Sequence, residues 1–128
     1  MGAATVALET SVNHTMNTEL AGARGSKGAS IKAFKITLPG SYDAGGSALS
    51  FATWFPKRVF WAVPMSPMFI NASTGAVCIG LVPGTALTTG PKGYTTSDWK
   101  VRAFATATES SGSADLSAYT GYIVACGV

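Results

Sequence analysis

A chain of 128 residues with 47% apolar and only 12% charged residues is too apolar for a disordered tail and carries about half the ionised share of an average soluble domain. That length encloses one hydrophobic core and leaves no room for two. Nine Lys and Arg against six Asp and Glu give a net charge of +3, scattered from Arg24 to Arg102, which excludes the clustered basic stripe of a direct nucleic-acid binder.

So few charges imply that a partner covers part of the surface. No charged, apolar and then small-residue sequence opens the chain as a cleaved signal would, and no run approaches the roughly 20 apolar residues of a membrane span. Synthesis in a cytoplasm and no membrane partner are the expectations.

In chain order, residues 1–29 stand apart. Large apolar residues are sparse (Val6, Leu8, Val12, Met16, Leu20), and the stretch runs into AGARGSKG, whose glycines surround Arg24 and Lys27 and disfavour any regular element. The reading is an extended N-terminal arm. Within it Val6 and Leu8 alternate with Ala7 and Glu9 at period two, which suits a short strand laid against another surface.

From residue 30 to 128 the pattern changes to β-rich runs separated by turn residues. Residues 31–38 (IKAFKITL) place Phe34, Ile36 and Leu38 on one face, as in a half-buried strand. Residues 58–63 (RVFWAV) form a β-branched and aromatic run closed by Pro64, which has no amide to donate to a ladder. Residues 68–70 suggest a short strand, and residues 76–82 (AVCIGLV) a further one stopped by Pro83-Gly84. Residues 99–106 send Trp99, Val101 and Ala103 one way and Lys100, Arg102 and Phe104 the other, and residues 119–128 supply the last strand.

No helical repeat persists for three turns, and no internal repeat is visible. The expected fold is therefore all-β, a β-sandwich or jelly-roll-like body (residues 30–128) preceded by the arm (residues 1–29). Cys78 and Cys126 lie in apolar runs without CxxC spacing and read as buried free thiols, with a disulfide as the alternative.

Chemistry is thinly represented. A phosphate-binding loop needs glycines followed by Lys and Ser or Thr at a helix start, whereas Gly45-Gly46 is followed by SALSF with no helical period. His14 is the single imidazole, no nucleophile elbow exists, and Asp98 and Asp115 sit in turn-like contexts. The reading is no enzyme, no metal ligand set and no cofactor. What remains is aromatic: rings leave both sides of the predicted strands, and one sandwich layer buries only one face. Trp54, Trp61 and Trp99 are accordingly candidate contact residues for self-assembly.

The segment ITLPGSYDAGGSALSFATWFPKRVFWAV (residues 36–63) resembles a pattern in small structural proteins of tailed phages. In it a strand ending Thr-Leu-Pro is followed by Tyr, Gly-Gly and a strand leading to Phe-Pro. Residues 99–128 are similar too, with an alternating Lys-Val strand, a polar loop holding Glu109, Ala-Asp-Leu-Ser at 114–117 and a terminal strand; residues 76–98 depart from the pattern in lacking an acidic, aromatic hairpin. The resemblance implies a capsid decoration, or cement, protein on the outer surface of the virion. Such a protein binds the major capsid protein, bridges its subunits and stabilises the shell as a homo-oligomer, with a trimer on a local three-fold axis as the expectation. The arm would then grip the capsid through Val6, Leu8, Val12 and His14, with Arg24, Lys27 and Lys32 facing acidic surface. A fibre or tail module that binds host carbohydrate is the alternative, with residues 93–99 (GYTTSDW) as its candidate loop.

Overall fold

A computed structural model describes residues 2–15, 29–66, 68–71, 75–90, 92–105 and 108–128. Among the described residues nine strands form one sheet: β1 (Thr5–Thr15), β2 (Ser30–Thr37), β3 (Ser47–Leu49), β4 (Val59–Pro64), β5 (Met68–Ile70), β6 (Ala76–Val82), β7 (Trp99–Ala105), β8 (Thr108–Glu109) and β9 (Thr120–Gly127). Their order is β1-β2-β9-β5-β6-β7-β3, with β4 also on β9 and β8 also on β7. All strand pairs are antiparallel. A parallel bridge between Ala3 and Ala48, with the Ala4 amide donating to the Ala48 carbonyl at 2.9 Å, brings the two ends of the sheet together. The all-β class read from the sequence is the observed one, the nearly closed antiparallel sheet is consistent with a sandwich-like or barrel-like fold, and no helix occurs among the described residues.

Alternation explains which face closes inward. Phe34, Ile36 and Leu38 are buried, and Ile123 and Ala125 on the neighbouring β9 and Trp99, Val101 and Ala103 on β7 belong to the same core. Between β3 and β4 the chain makes a tight turn in which the amides of Trp54 and Phe55 both donate to the Phe51 carbonyl. This turn plugs the interior with rings: Phe34 lies 5.5 Å from Phe51, 5.0 Å from Trp54 and 6.0 Å from Phe55, in tilted and edge-on arrangements that aromatic quadrupoles favour.

The segment read as an arm needs correction. Residues 5–15 are β1, paired with β2 along its length in the register Val6↔Ile36 and Leu8↔Phe34. Opposite residues share a face, so Val6 and Leu8 lie on the interior side and pack against the core. The register shifts between Glu9 and Asn13, so the pairing resumes beyond an irregularity with His14 opposite Ile31. β1 is thus a strand of the body's own sheet. Arg24 and Lys27 lie outside the described residues, as do the side chains of Val12 and His14.

Candidate functional site

The stretch around Gly45-Gly46 proves to be a clamped connection. Tyr42 is buried, its hydroxyl donates to Glu109 Oε2 at 2.7 Å and it accepts the Ala103 amide at 3.0 Å. Glu109 also accepts the Gly45 amide at 2.8 Å and pairs with Arg102, whose Nη2 lies 2.7 Å from Oε1. Gly45 and Gly46 have φ of 90° and 122°, the region that side-chain-bearing residues avoid, and this turn delivers the Gly45 amide to the carboxylate. The Arg102 guanidinium, then the Tyr42 hydroxyl, hold the Glu109 carboxyl down to about 2; burial, then the bond to Glu109, pushes the Tyr42 phenol up to about 12. A carboxylate so fully engaged fastens the loop to β7 and β8 and has little capacity left for a ligand.

Asp98 and Asp115 act locally, as their turn contexts imply. Asp98 accepts from the Thr85 amide at 3.1 Å, from the Thr85 hydroxyl at 2.8 Å and from the Thr95 hydroxyl, and these bonds hold its carboxyl below the usual range. Asp115 accepts from the Ser117 amide and hydroxyl at 3.0 and 2.6 Å. Among the described residues no three His, Cys, Asp or Glu side chains converge as metal ligands.

The three tryptophans separate sharply. Trp99 is a correction: it is 2% exposed, packs edge-on to Phe51 at 5.6 Å and to Tyr94 at 5.6 Å, and donates its indole N–H to the Thr95 carbonyl at 2.8 Å. It shares the inward parity of Val101 and Ala103, so the ring of β7 that faces outward is Phe104, with Arg102 stacked on it at 5.1 Å. The candidate loop at residues 93–99 therefore turns its rings into the protein. Trp54 is half-buried in the Phe34 cluster. Only Trp61 of the three is exposed. Lys32 is half-buried on β2, opposite Asn13 and Ala125.

Around Trp61 lies the feature that sequence reasoning located only in part. On β4 the outward residues are Trp61 and Val63, with Met65 just beyond Pro64; on β5 they are Met68 and Ile70, flanking the buried Phe69; on β9 it is Tyr122. These six are among the seven large hydrophobic side chains that are exposed among the described residues, the seventh being Val82 on β6. They belong to one outer face because β9 carries β4 and β5 on the same edge. Val63 pairs with Val124, the Met65 amide donates to the Tyr122 carbonyl at 2.9 Å, and Ile70 pairs with Thr120.

Where β9 passes from β4 to β5 the face is indented by a groove of about 320 Å³, lined by Met65, Met68, Ile70 and Tyr122 with Ser66, Thr120 and Gly121. None of the described residues that line it is ionised. Lys35, opposite Tyr122 on β2, places an exposed charge at its border. The sequence signal for this face is the density of apolar residues in VPMSPMFI and not its alternation, because Val63 and Met65 keep one phase whereas Met68 and Ile70 take the other, on either side of the inward Phe69.

Cys78 is exposed beside Met68, its register partner, whereas Cys126 is buried and its thiol is pushed up by burial; both are free. The expectation of two buried thiols holds for Cys126 alone, because Cys78 has the outward parity of β6 and Val77 the inward one. No helix among the described residues is long and apolar enough to cross a membrane. No family model, curated protein or solved structure matches this chain.

Proposed function

We propose that this protein is a non-enzymatic decoration protein of a tailed-phage head, which binds the assembled shell from outside as a homo-oligomer and bridges neighbouring major capsid subunits. The observation that carries the reading is the outer apolar face: a chain with few charges leaves Trp61, Val63, Met65, Met68, Ile70 and Tyr122 together in solvent. Contiguous apolar area of that kind marks a surface that meets another macromolecule. The strand and turn pattern of residues 36–63 and 99–128 supports the phage assignment.

The role asks for mechanical work and no bond chemistry. A protein that binds the assembled lattice and not its loose subunits stabilises the lattice by mass action, and each unit that touches two subunits must be torn from one before they separate. Many modest contacts repeated over the shell then sum through multivalency. Lys35 at the border of the face contributes to orientation more than to affinity, since rim charges are screened.

The test is to add the purified protein to heads of the encoding phage that lack it, sediment them, and measure bound protein and the temperature of head rupture. Saturable binding with a raised rupture temperature is expected. No binding to heads, or recognition of sugars on a glycan array without it, would replace the reading with that of a fibre module.

A further inference from the structure

The outer face carries a knob and a hole at a fixed spacing along the same pair of strands. Trp61 sits opposite Cys126, Val63 opposite Val124, and Met65 is tied to Tyr122 at the mouth of the groove. At about 3.3 Å per residue, Trp61 and the groove lie roughly 13 Å apart along β4, with Val63 halfway between them.

We infer that this face pairs with the same face of a second copy across a two-fold axis that runs between the two sheets, perpendicular to β4 and over Val63. Such an axis maps Trp61 of each copy onto the Met65, Met68, Ile70 and Tyr122 groove of the other. Both holes are filled by one operation, as an isologous contact requires. This deepens the assembly role proposed above, on which it rests, by naming a second copy as the occupant, and it replaces the three-fold axis expected from the sequence with a two-fold one.

Area and charge favour that occupant. Six large side chains, each 37–60% exposed, present on the order of 600 Å² if each offers about 200 Å² when fully open, against the roughly 800 Å² per partner of a standard stable interface. The patch therefore supplies most of one side of a dimer. Two copies of a chain of net charge +3 repel at long range, and a contact that brings no further like charges together keeps that cost small. The groove meets that condition, because the described residues of its lining are uncharged and Lys35 stays at the border, in water. The hole is large enough for an aromatic side chain, and a buried aromatic anchor in a pocket is the usual energetic centre of an interface.

The experiment is sedimentation equilibrium of the purified chain over a wide concentration range, with no heads present. The mass should climb from 13.1 kDa toward twice that value, and Trp61 emission should shift to the blue in step, since Trp54 and Trp99 are already packed. Trp61→Ala and Ile70→Glu should each weaken association at least tenfold while the β-type circular dichroism is kept.

Mixing the two variants discriminates further. A mixed pair retains one intact knob and hole whereas each variant alone has none, so the mixture should associate more tightly than either. A wild-type chain that stays monomeric, forms trimers, or gains nothing from mixing its variants would overturn the pairing. Emission of the wild-type chain decides the matter even if a variant fails to fold. A monomer that still decorates heads would sink the pairing and leave the decoration reading standing; a dimer that never binds heads would do the reverse.

Discussion

Tyr42 and Glu109, 67 positions apart in the chain, share a 2.7 Å hydrogen bond that locks the loop before β3 to the β7–β8 hairpin. The same phenol accepts the Ala103 amide inside the protein. Tyr42→Phe keeps the ring but leaves that amide with no phenol oxygen to receive it. A loss of about 1–3 kcal/mol is expected, the usual effect of orphaning a buried polar group. Urea unfolding of the two proteins measures it; equal midpoints would show that the clamp contributes nothing.

The Glu109 carboxylate makes the fold sensitive to acid. Its folded value, about 2, lies below the ordinary 4.5, so its stabilisation is complete above pH 4.5 and is lost as pH falls from there toward 2. Tyr42 has the opposite sign: its value is raised from 10.0 to about 12, so the neutral phenol supports the fold below pH 10 and fails across the two units above it. Denaturant midpoints recorded from pH 2 to 6 should fall steeply in the wild type and less steeply in Glu109→Gln. Parallel curves would assign the acid sensitivity to other carboxylates.

Gly121 has an ordinary backbone, and its lack of a side chain matters for packing alone. A Cβ there would fall within the Phe69 ring, which lies against it under the groove. Gly121→Ala therefore overpacks the interior at the floor of the apolar face, and a destabilisation of about 1–3 kcal/mol is expected. Thermal unfolding is the check, and an unchanged midpoint would mean that Phe69 has another place to go.

The two thiols should differ under a disulfide-exchange reagent. Cys78 is exposed on the outer face and Cys126 is buried, with its thiolate disfavoured by desolvation. One equivalent should react promptly in the native protein and the second only in denaturant. Two prompt equivalents would mean that β9 opens readily.

Much of the fold was legible because period-two alternation is a local property. It identified the inward set Phe34, Ile36 and Leu38 and the ends of β4 and β6 at proline. What alternation leaves open is which parity is inward when both faces carry rings. On β7 the buried ring is Trp99 and the outward one Phe104, and the choice is settled by Phe51 and Tyr94, which arrive from distant loops. The apolar face escaped sequence reading for the same reason: Trp61, Met68 and Tyr122 come together only because β9 carries β4 and β5 on one edge, a pairing that no local pattern encodes. Sparse large residues over residues 1–29 suggested an extended arm, and residues 5–15 are held instead in the body's own sheet by backbone pairing with β2, which composition does not report.

The most direct test of a decoration role is the number of copies of this chain, relative to the major capsid protein, in gradient-purified particles of the encoding phage. The account predicts hundreds of copies, in fixed proportion to the shell subunits. A handful per particle, or none, would contradict it.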